Sequence, residues 1–449
     1  MFDYKLVKKF RFISYEFNQE TFTAKLNYAF DDNYFFTEEI IFNNANKKLN
    51  DEELKALDNC LKYLHLVAGA SYFKAAIPSE ISIENGNITK ETAQFIEKLY
   101  LNGLGEFAYR NGIDLREKIK FPYNENITPN PSDINLKRRT AVPVGGGKDS
   151  VVTMEAMQNS NEDIVLFSVG NPRPIKEVCE LSGLEHIIVT RKLSPVLFDI
   201  NKEGALNGHV PISAIIAFII SCSSIIYGFD NVAMSNERSA NVGNLIHDGF
   251  EVNHQYSKGL EFETDVNNFF KSHVMTNFNY FSFLRPLSEL SIAKLFSKAK
   301  KYHKVFTSCN AAFKIDESKR TNRWCLNCDK CRFVYLSLAP FLTKNEMMEI
   351  FTKDMLDDKE QIKGYDELIG ISGHKPFECV GEVEESVTAL YLIHDKEDWK
   401  NTLMVKRFIE IALPKVDNIK EIVEQTFTNS DKHKLDKKYK EILDAYSRT

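Results

Sequence analysis

One segment near the middle of the chain constrains the fold more than any other. A short apolar run, residues 140–144, leads into three glycines, and Lys148, Asp149 and Ser150 follow directly. Apolar side chains at helical spacing then continue to Met157. This order predicts a strand, a tight glycine turn and a helix N-terminus. Because a helix N-terminus has unpaired N–H groups and a partial positive charge, we expect the turn to bind an oxyanion such as phosphate.

Strands and helices alternate from residue 140 onward. Strands are predicted at residues 141–144, 163–169, 186–190, 231–235 and 280–284. Helices are predicted at residues 149–158, 175–181, 212–227, 261–273 and 289–302. This rhythm predicts an α/β fold with a doubly wound parallel sheet, whose ligands bind at the carboxyl ends of the strands. The glycine turn follows the first of these strands and therefore lies where such a fold binds its ligand.

A chain of 449 residues is long enough for two or three domains. Residues 1–121 begin with the alternating pattern of a β-hairpin and continue with two helical stretches, so they predict an N-terminal α+β domain. Residues 122–139 are rich in Pro and Asn and predict a linker. Residues 140–342 then form the phosphate-binding domain. We expect residues 343–449, with helical and Gly-rich stretches, to close its site.

The composition of the chain indicates which partners it binds and in which compartment it is found. The chain has 57 Lys and Arg against 63 Asp and Glu, a formal charge of −6. A nucleic-acid partner usually needs a basic face, so we expect none. Eight cysteines are too sparse for a disulfide scaffold. The chain also opens on charged residues rather than on a secretory signal, and we therefore expect a cytoplasmic protein.

Residues 210–229 carry no charge and are long enough to span a bilayer. They contain one proline and several serines, however, and no basic cluster flanks them. They also lie between two predicted strands. We therefore expect a helix buried against the sheet and no membrane insertion. The oligomeric state is left open by these patterns.

A cysteine cluster is the second strong signal. Cys309 is followed by Cys325, Cys328 and Cys331, and the last three are spaced three residues apart. Four thiolates match tetrahedral Zn²⁺, and a closed shell of four sulfurs leaves no coordination position for chemistry. We therefore expect a structural zinc site, with an iron–sulfur cluster as the alternative.

The glycine turn resembles the Ser-Gly-Gly-x-Asp-Ser loop of the PP-loop ATP pyrophosphatases, with Gly145 in place of Ser. Neither the Walker phosphate loop nor the dinucleotide-binding pattern can be laid over it. The resemblance implies cleavage of ATP to AMP and pyrophosphate. An α/β domain followed by this cysteine pattern is also similar to the 7-cyano-7-deazaguanine synthases, which are shorter and have a smaller gap before the second cysteine. One alternative is therefore a related ATP pyrophosphatase, such as an enzyme of that kind or an RNA-modifying enzyme. Another alternative is a zinc-stabilised binding protein without catalytic activity, but that hypothesis assigns no function to the glycine turn.

The order of further segments resembles the UDP-N-acetyl-α-D-muramoyl-L-alanyl-L-glutamate epimerases of bacterial peptidoglycan synthesis. These segments are residues 103–110, 143–150, 207–211, 235–241, 282–286, 324–331, 339–341 and 373–381. The resemblance covers most of the chain and implies an isomerase of cell-wall biogenesis and cell shape. Such an enzyme uses ATP and Mg²⁺ to adenylate the α-carboxylate of the terminal L-Glu of its UDP-linked muramoyl dipeptide. It then inverts the α-carbon and hydrolyses the adenylate, which releases D-Glu product, AMP and pyrophosphate.

The predicted ATP site begins at the glycine turn. Its expected ligands are the backbone N–H groups of Gly145, Gly146 and Gly147, the Ser150 hydroxyl, the Lys148 charge and, as the Mg²⁺ contact, Asp149. Ser168 and Val169 end the second strand, where adenosine is commonly bound in this fold. Asn236, Glu237 and Arg238 follow the fourth strand and are expected at the same crevice. Arg238 suits phosphate, although a surface ion pair is equally expected. Lys294 is a further phosphate candidate, and for it a solvated lysine is the stronger expectation.

Epimerisation requires a base on one face of the α-carbon and an acid on the other, or one mobile base. The candidates are His209, before the apolar helix, and His374, Glu378 and Cys379 in the Gly-rich C-terminal segment. A purely structural role is open for each of them.

Overall fold

The chain divides into two units, and each is assembled from separate stretches of sequence. The computed structural model describes residues 1–314, 316–373 and 375–448. The first unit comprises Met1–Ala141, Ile187–Val232 and Ile246–Tyr280. The second unit comprises Val142–His186, Ala233–Leu245 and Phe281–Thr449.

The first unit begins with antiparallel strands, which confirms the predicted hairpin. The strands are β1 (Lys9–Asn18), β2 (Thr23–Phe30), β3 (Tyr34–Phe42) and β4 (Glu80–Ile83). β2 pairs antiparallel with both β1 and β3, whereas β4 runs parallel to β1. The helices are α1 (Asp51–Ala68), α2 (Ala70–Phe73), α3 (Lys90–Gly103) and α4 (Gly105–Asn111). At the start of α1, Asn50 and Glu53 form a reciprocal capping box, which satisfies two backbone N–H groups.

All five strands predicted after residue 139 are present. The elements are β5 (Thr140–Pro143), α5 (Lys148–Asn159), β6 (Ile164–Val169), α6 (Arg173–Ser182), β7 (His186–Lys192), α7 (Pro195–Lys202), α8 (Ile212–Tyr227), β8 (Asn231–Met234), β9 (Leu245–His247), β10 (Phe250–Val252), α9 (Leu260–Phe269) and β11 (Asn279–Ser282). The predicted third helix of this series lies at α8. The predicted helix at residues 261–273 is α9 followed by a π-helical turn, Phe270–Val274.

Nine strands form one sheet in the order β11-β8-β5-β6-β7-β3-β2-β1-β4, and β9 pairs with β10 separately. β5 and β8 are parallel, with Thr140 opposite Asn231, whereas β3 and β7 are antiparallel. The fold is therefore mixed α/β with a large sheet rich in parallel strands, as predicted in outline. The Arg191 guanidinium joins β7 to β3 through a buried ion pair with Glu38, at 2.7 Å.

Helix α8 lies within the uncharged segment 210–229, whose length would allow it to span a bilayer. Most of its residues are buried, and it packs against α1 within the first unit. Its buried serines satisfy their hydroxyls on carbonyls of the same helix, for example Ser221 on Phe218 at 2.8 Å and Ser223 on Ile219 at 2.9 Å. In the part of the chain that the structure describes, no helix combines the length and apolar character that crossing a membrane requires.

Helices dominate the second unit after β11. They are α10 (Glu289–Phe296), α11 (Asp329–Leu338), α12 (Lys344–Phe351), α13 (Ile362–Leu368), α14 (Val383–Ile393), α15 (Leu403–Arg407), α16 (Ile419–Phe427) and α17 (Lys437–Arg448). α10 packs against α5, α11, α14 and α16, so it lies at the centre of this helical layer. A continuous apolar core joins these helices to β5 and β6. The helix that follows the glycine turn is thus fixed by packing along its length.

Candidate active site

The glycine turn joins β5 to α5 in the second unit, as predicted. Val144 N–H donates to the Phe167 carbonyl at 2.8 Å, which fixes the turn against β6. Gly146 has φ of +78°, a conformation that residues with a Cβ rarely adopt. At Gly147 a Cβ would lie 2.7 Å from the Ser308 hydroxyl oxygen, so this position is restricted by close approach. Gly145 differs, because it is exposed and a Cβ there would meet no described atom within 4 Å.

Lys148 is the first residue of α5, and only 2% of its side chain is exposed. Its ammonium group contacts the carboxylates of Asp149 and Glu289. Burial alone would lower the pKa of Lys148, but the negative charges of Asp149 and Glu289 raise it above its ordinary value. The lysine is therefore charged at neutral pH, and its ammonium group lies between two carboxyl groups.

Glu289 begins α10 and was not predicted as a site residue. Its backbone N–H donates to Oε1 of Glu385 at 3.2 Å. Glu385 lies on α14 and is buried, and its Oε2 has no hydrogen-bond partner in the described chain. Burial, assisted by the charge of Glu382 and opposed by that of Arg238, raises the pKa of Glu385 to about 8. Burial also raises the pKa of Glu289, against the charge of Lys148, so two buried acidic groups of different helices have raised pKa values here.

The predicted residues after β8 lie in the same unit. The Asn236 side-chain amide donates to Ser282 Oγ at 3.0 Å, which links the ends of β8 and β11. The guanidinium of Arg285 is fully buried and donates to the Glu237 carbonyl oxygen at 2.7 Å. Arg238 donates to the carbonyls of Thr428 and Thr426, at 3.0 and 3.3 Å. These residues form a hydrogen-bonded shell at the end of the strands.

Three other residues predicted to bind ATP lie in two places, at the end of β6 and on the surface of α10. Ser168, at the end of β6, donates to the Gly170 carbonyl at 2.7 Å and lies 2.8 Å from Nε2 of His186. Val169 is the last residue of the same strand. Lys294 is exposed on α10, with its ammonium 5.7 Å from the centre of the Phe427 ring.

The four predicted cysteine ligands converge in the second unit. The sulfur–sulfur distances are 4.0 Å for Cys309 and Cys328, 3.7 Å for Cys325 and Cys331, and 3.5 Å for Cys328 and Cys331. Tetrahedral Zn²⁺ with Zn–S bonds of about 2.3 Å needs sulfurs about 3.8 Å apart, so the spacing fits. The backbone N–H of Cys325 also donates to Cys309 Sγ at 3.4 Å, as is common for a thiolate ligand. The cluster could hold a metal ion.

One short segment connects the cysteine cluster to the glycine turn. The backbone N–H of Thr307 donates to the Gly146 carbonyl at 2.9 Å, and Ser308 lies against Gly147. Two residues later, the Asn310 side-chain amide donates to the Glu378 carboxylate at 2.5 Å. Residues 307–310 therefore contact both the glycine turn and Glu378. His374, the third candidate of that segment, lies outside the described residues.

Two regions of the sequence match domains of a known family. The sequence matches the MurL N-terminal domain over residues 1–283 and the MurL C-terminal domain over residues 305–422. The chain belongs to the MurL family.

Relatives of the family align along almost the whole chain. A UDP-N-acetyl-alpha-D-muramoyl-L-alanyl-L-glutamate epimerase of Xanthomonas oryzae pv. oryzae is 41% identical over 93% of this chain and 92% of the relative. Proteins of the same name from Salinispora tropica and a Micromonospora species are 42% and 40% identical. These alignments cover 90% and 97% of this chain, and 89% and 97% of the respective relatives.

His209, the remaining acid–base candidate, lies in the first unit. Its Nδ1 is 3.7 Å from Oε2 of Glu106, and the same oxygen is hydrogen-bonded to Nδ1 of His254. Burial, together with the neighbouring His254, lowers the pKa of His209 to about 4. His209 is therefore neutral at physiological pH. Neither Glu106 nor His254 was predicted, because isolated residues so far apart in sequence form no pattern.

Glu289 and Glu385 were missed for a related reason. Glu289 follows the N-cap Ser288, and an acidic residue in the first turn of a helix is ordinary there. Glu385 also lies in the first turn of its helix. The only available signal was the position of Glu289 just after the last strand of the α/β series, at the edge where such sheets bind ligands.

Proposed function

We propose that this protein is an ATP-dependent epimerase that converts the terminal L-Glu of UDP-MurNAc-L-Ala-L-Glu to D-Glu. The observation that carries the proposal is the near full-length identity of 40–42% to relatives with that name. In this account the enzyme is an isomerase of peptidoglycan synthesis that acts in the cytoplasm on a UDP-linked precursor.

We infer that ATP binds at the glycine turn and is split to AMP and pyrophosphate, as in the PP-loop ATP pyrophosphatases. Gly145 leaves open space, and no side chain among the described residues caps the N-terminus of α5. Its first N–H groups are therefore suited to phosphate oxygens. The hydroxyl of Ser150 now donates to the Gly147 carbonyl at 3.2 Å, a weak bond that a phosphate oxygen can replace. Lys148 contributes positive charge from beneath the turn.

We assign Mg²⁺ to the carboxylate oxygens beside the turn. Lys148 contacts both Asp149 and Glu289, and burial raises the pKa of Glu289 above its ordinary value. The side chain of Asp149 is 29% exposed, whereas that of Glu289 is 5% exposed, so Asp149 is the accessible oxygen ligand. Bound there, the ion would neutralise phosphate charge. The contact of the buried Lys148 with Asp149 and Glu289 keeps both carboxyl groups beside the turn.

Further contacts complete the proposed nucleotide site. We assign Ser168 and Val169, at the end of β6, to the adenosine half of ATP. Asn236, Glu237 and Arg238 follow β8 and are assigned to the same edge. Arg238 would need to exchange a carbonyl of residues 426–428 for a phosphate oxygen, and charge-assisted bonds to phosphate are stronger than those to a neutral carbonyl. Lys294 has the least support as a phosphate ligand, because its side chain is exposed.

Adenylation makes the inversion chemically accessible. The α-proton of a free carboxylate is very weakly acidic, because the carbanion would place a second negative charge beside the first. Once the carboxylate is esterified by AMP, its carbonyl oxygen can accept the electron pair, and nearby donors stabilise the resulting negative charge. Water then releases AMP from the inverted product.

Proton transfer is assigned to the segment with Glu378 and Cys379. Asn310 positions the Glu378 carboxylate, and residues 307–310 also contact the glycine turn. An acid and a base from one segment could act on the adenylated carbon if that carbon lies beside the turn. His374 belongs to the same segment and remains a predicted participant. His209 remains a prediction as well, although it lies in the first unit beside Glu106 and His254.

The cysteine cluster is assigned to zinc. Its sulfur separations match a tetrahedral shell, and four thiolates leave no coordination position for substrate. Its proposed role is therefore to stabilise the fold. Through Cys309 it fixes residues 307–310, which contact the glycine turn.

Product analysis tests the proposal directly. The full chain is incubated with ATP, Mg²⁺ and UDP-MurNAc-L-Ala-L-Glu, and the chirality of the released glutamate is determined after hydrolysis. We expect D-Glu together with AMP and pyrophosphate, and no inversion without ATP. AMP formation without D-Glu would keep the ATP chemistry and overturn the epimerase. D-Glu with ADP would keep the epimerase and overturn the ATP pyrophosphatase.

A further inference from the structure

Three potential metal ligands converge in the first unit, away from the cysteine cluster in sequence. Glu106 lies on α4, His209 lies before α8, and His254 follows β10. One ligand atom of each lies within 4.8 Å of those of the other two. Two imidazole nitrogens and one carboxylate oxygen are brought together although the residues are far apart in sequence.

A single oxygen is the centre of this cluster. Oε2 of Glu106 is hydrogen-bonded to Nδ1 of His254 and lies 3.7 Å from Nδ1 of His209, and the two rings are 4.5 Å apart between centroids. The other oxygen, Oε1, accepts from Nε of Arg110 at 2.6 Å. The carboxylate is thus oriented by Arg110, with its second oxygen directed toward both histidines.

The cluster is largely buried but still reaches solvent. The side chains of Glu106, His254 and His209 are 7%, 15% and 21% exposed. The Asn111 side-chain amide donates to the carbonyls of Phe107, at 2.8 Å, and Asn207, at 3.3 Å, so the segment before His209 is tied to α4. Backbone restraint of this kind is what keeps donor atoms in place for an ion.

We propose that Glu106, His209 and His254 bind one divalent transition-metal ion. Two histidines and one carboxylate form the donor set of zinc and iron(II) sites that keep coordination positions open for a ligand. Metal–ligand bonds of about 2.1 Å place neighbouring donor atoms about 3 Å apart, so modest side-chain rotations complete the shell. The nearby charge of Arg110 favours an anionic oxygen, from a carboxylate or a phosphate, in the open positions. In this role His209 coordinates the ion and is not the acid or base of epimerisation.

Metal binding by the full chain tests this assignment without any measurement of activity. The protein is first loaded with one equivalent of Zn²⁺, which fills the cysteine cluster, and Co²⁺ binding is then followed by equilibrium dialysis. The variants are His254→Ala and Glu106→Gln. The matched control is His247→Ala, because His247 is a histidine of the same unit outside the cluster and its side chain is 52% exposed. We expect one Co²⁺ per chain in wild type and control, and binding at least about tenfold weaker in both cluster variants.

The spectrum of the wild-type protein gives a reading that does not depend on how the variants fold. Thiolate ligands give Co²⁺ intense charge-transfer absorption, whereas histidine and carboxylate ligands do not. We expect the additional Co²⁺ to lack that absorption, and Cu²⁺ at the same site to show resonance coupling to two imidazole nitrogens. Wild-type protein without such an ion, or cluster variants that bind it as tightly as the control, would overturn the assignment.

Discussion

The two units carry contrasting clusters of potential metal ligands. In the second unit four sulfurs from residues 309–331 converge, with separations of 3.5–4.0 Å in three of the pairs, and they could hold a metal ion in a closed shell. In the first unit two nitrogens and one oxygen come from residues as far apart as Glu106 and His254, and they leave positions open. A closed shell stabilises the chain around it, whereas an open one can also receive a ligand. The two donor sets therefore suit different ions: four thiolates suit an ion that maintains structure, and two histidines with one carboxylate suit an ion that can also contact a substrate.

The two units also differ in the charged groups that surround their candidate sites. The second unit buries Lys148 among acidic groups beside a glycine turn, an arrangement suited to phosphate and a divalent cation. The first unit holds one carboxylate between an arginine and two histidines. If ATP chemistry belongs to the second unit alone, changes in that unit should abolish adenylation, and changes in the first should spare it.

The largest expected effect is that of Asp149→Ala. Loss of the proposed Mg²⁺ ligand, and of one partner of Lys148, should reduce ATP cleavage at least about 100-fold. Pyrophosphate release measures it. Asp199→Ala is the matched control, because Asp199 is exposed in the first unit and pairs only with Lys202 among its described ion pairs. Near-normal turnover of the Asp149 variant would remove this residue from the site.

A smaller effect is expected when proton transfer alone is impaired. Cys379→Ala and Glu378→Gln should each lower the rate of inversion about 100-fold, the range of general acid–base catalysis. Both should retain ATP–pyrophosphate exchange, because adenylation precedes proton removal. If exchange falls in parallel with inversion, these side chains serve ATP binding, and the acid and base lie elsewhere.

Disruption of the closed shell should affect stability more than chemistry. Cys328→Ser should lose bound zinc and lower the melting temperature by about 10 °C, because metal-binding energy is folding energy at such a site. Calorimetry with metal analysis measures both. Cys179→Ser is the control, since Cys179 is a buried thiol of the same unit outside the cluster. A variant that keeps its melting temperature would show that the cluster does not hold a structural ion.

The smallest effect concerns Glu385. Its folded pKa of about 8 lies above its ordinary value of 4.5, so the folded protein binds more protons than the unfolded chain between these values. Stability should therefore fall as pH rises from about 4.5 to 8, by a few kcal/mol at most, and stay level above that range. Glu385→Gln should flatten this slope, whereas Glu384→Gln, an exposed change on the same helix, should not. Denaturant unfolding at several pH values decides between them.

Sequence predicts the contiguous parts of this molecule well. The glycine turn and the strands after residue 139 follow from local patterns, and they lie as predicted because backbone conformation and apolar periodicity are local properties. The cysteine cluster was equally accessible, since three of its ligands are three residues apart. In each case the local structure is encoded in neighbouring residues.

The missed residues act only through tertiary structure. Glu289 and Glu385 begin separate helices, and each is ordinary in its own segment. They become part of the site because α10 packs between α5 and α14. The same holds for Glu106 and His254 in the first unit, where separate segments bring donor atoms to one carboxylate oxygen. No local pattern in the sequence specifies that convergence.

Deuterium incorporation tests the central claim most directly. The full chain is incubated in D₂O with UDP-MurNAc-L-Ala-L-Glu and either ATP or an analogue that cannot be cleaved between its α- and β-phosphates. The α-carbon is then examined by mass spectrometry and chiral analysis. Inversion through an adenylated carboxylate predicts deuterium at the α-carbon of D-Glu with ATP, with AMP formed, and neither exchange nor inversion with the analogue. Inversion or α-proton exchange that proceeds equally with the analogue would contradict activation by adenylation.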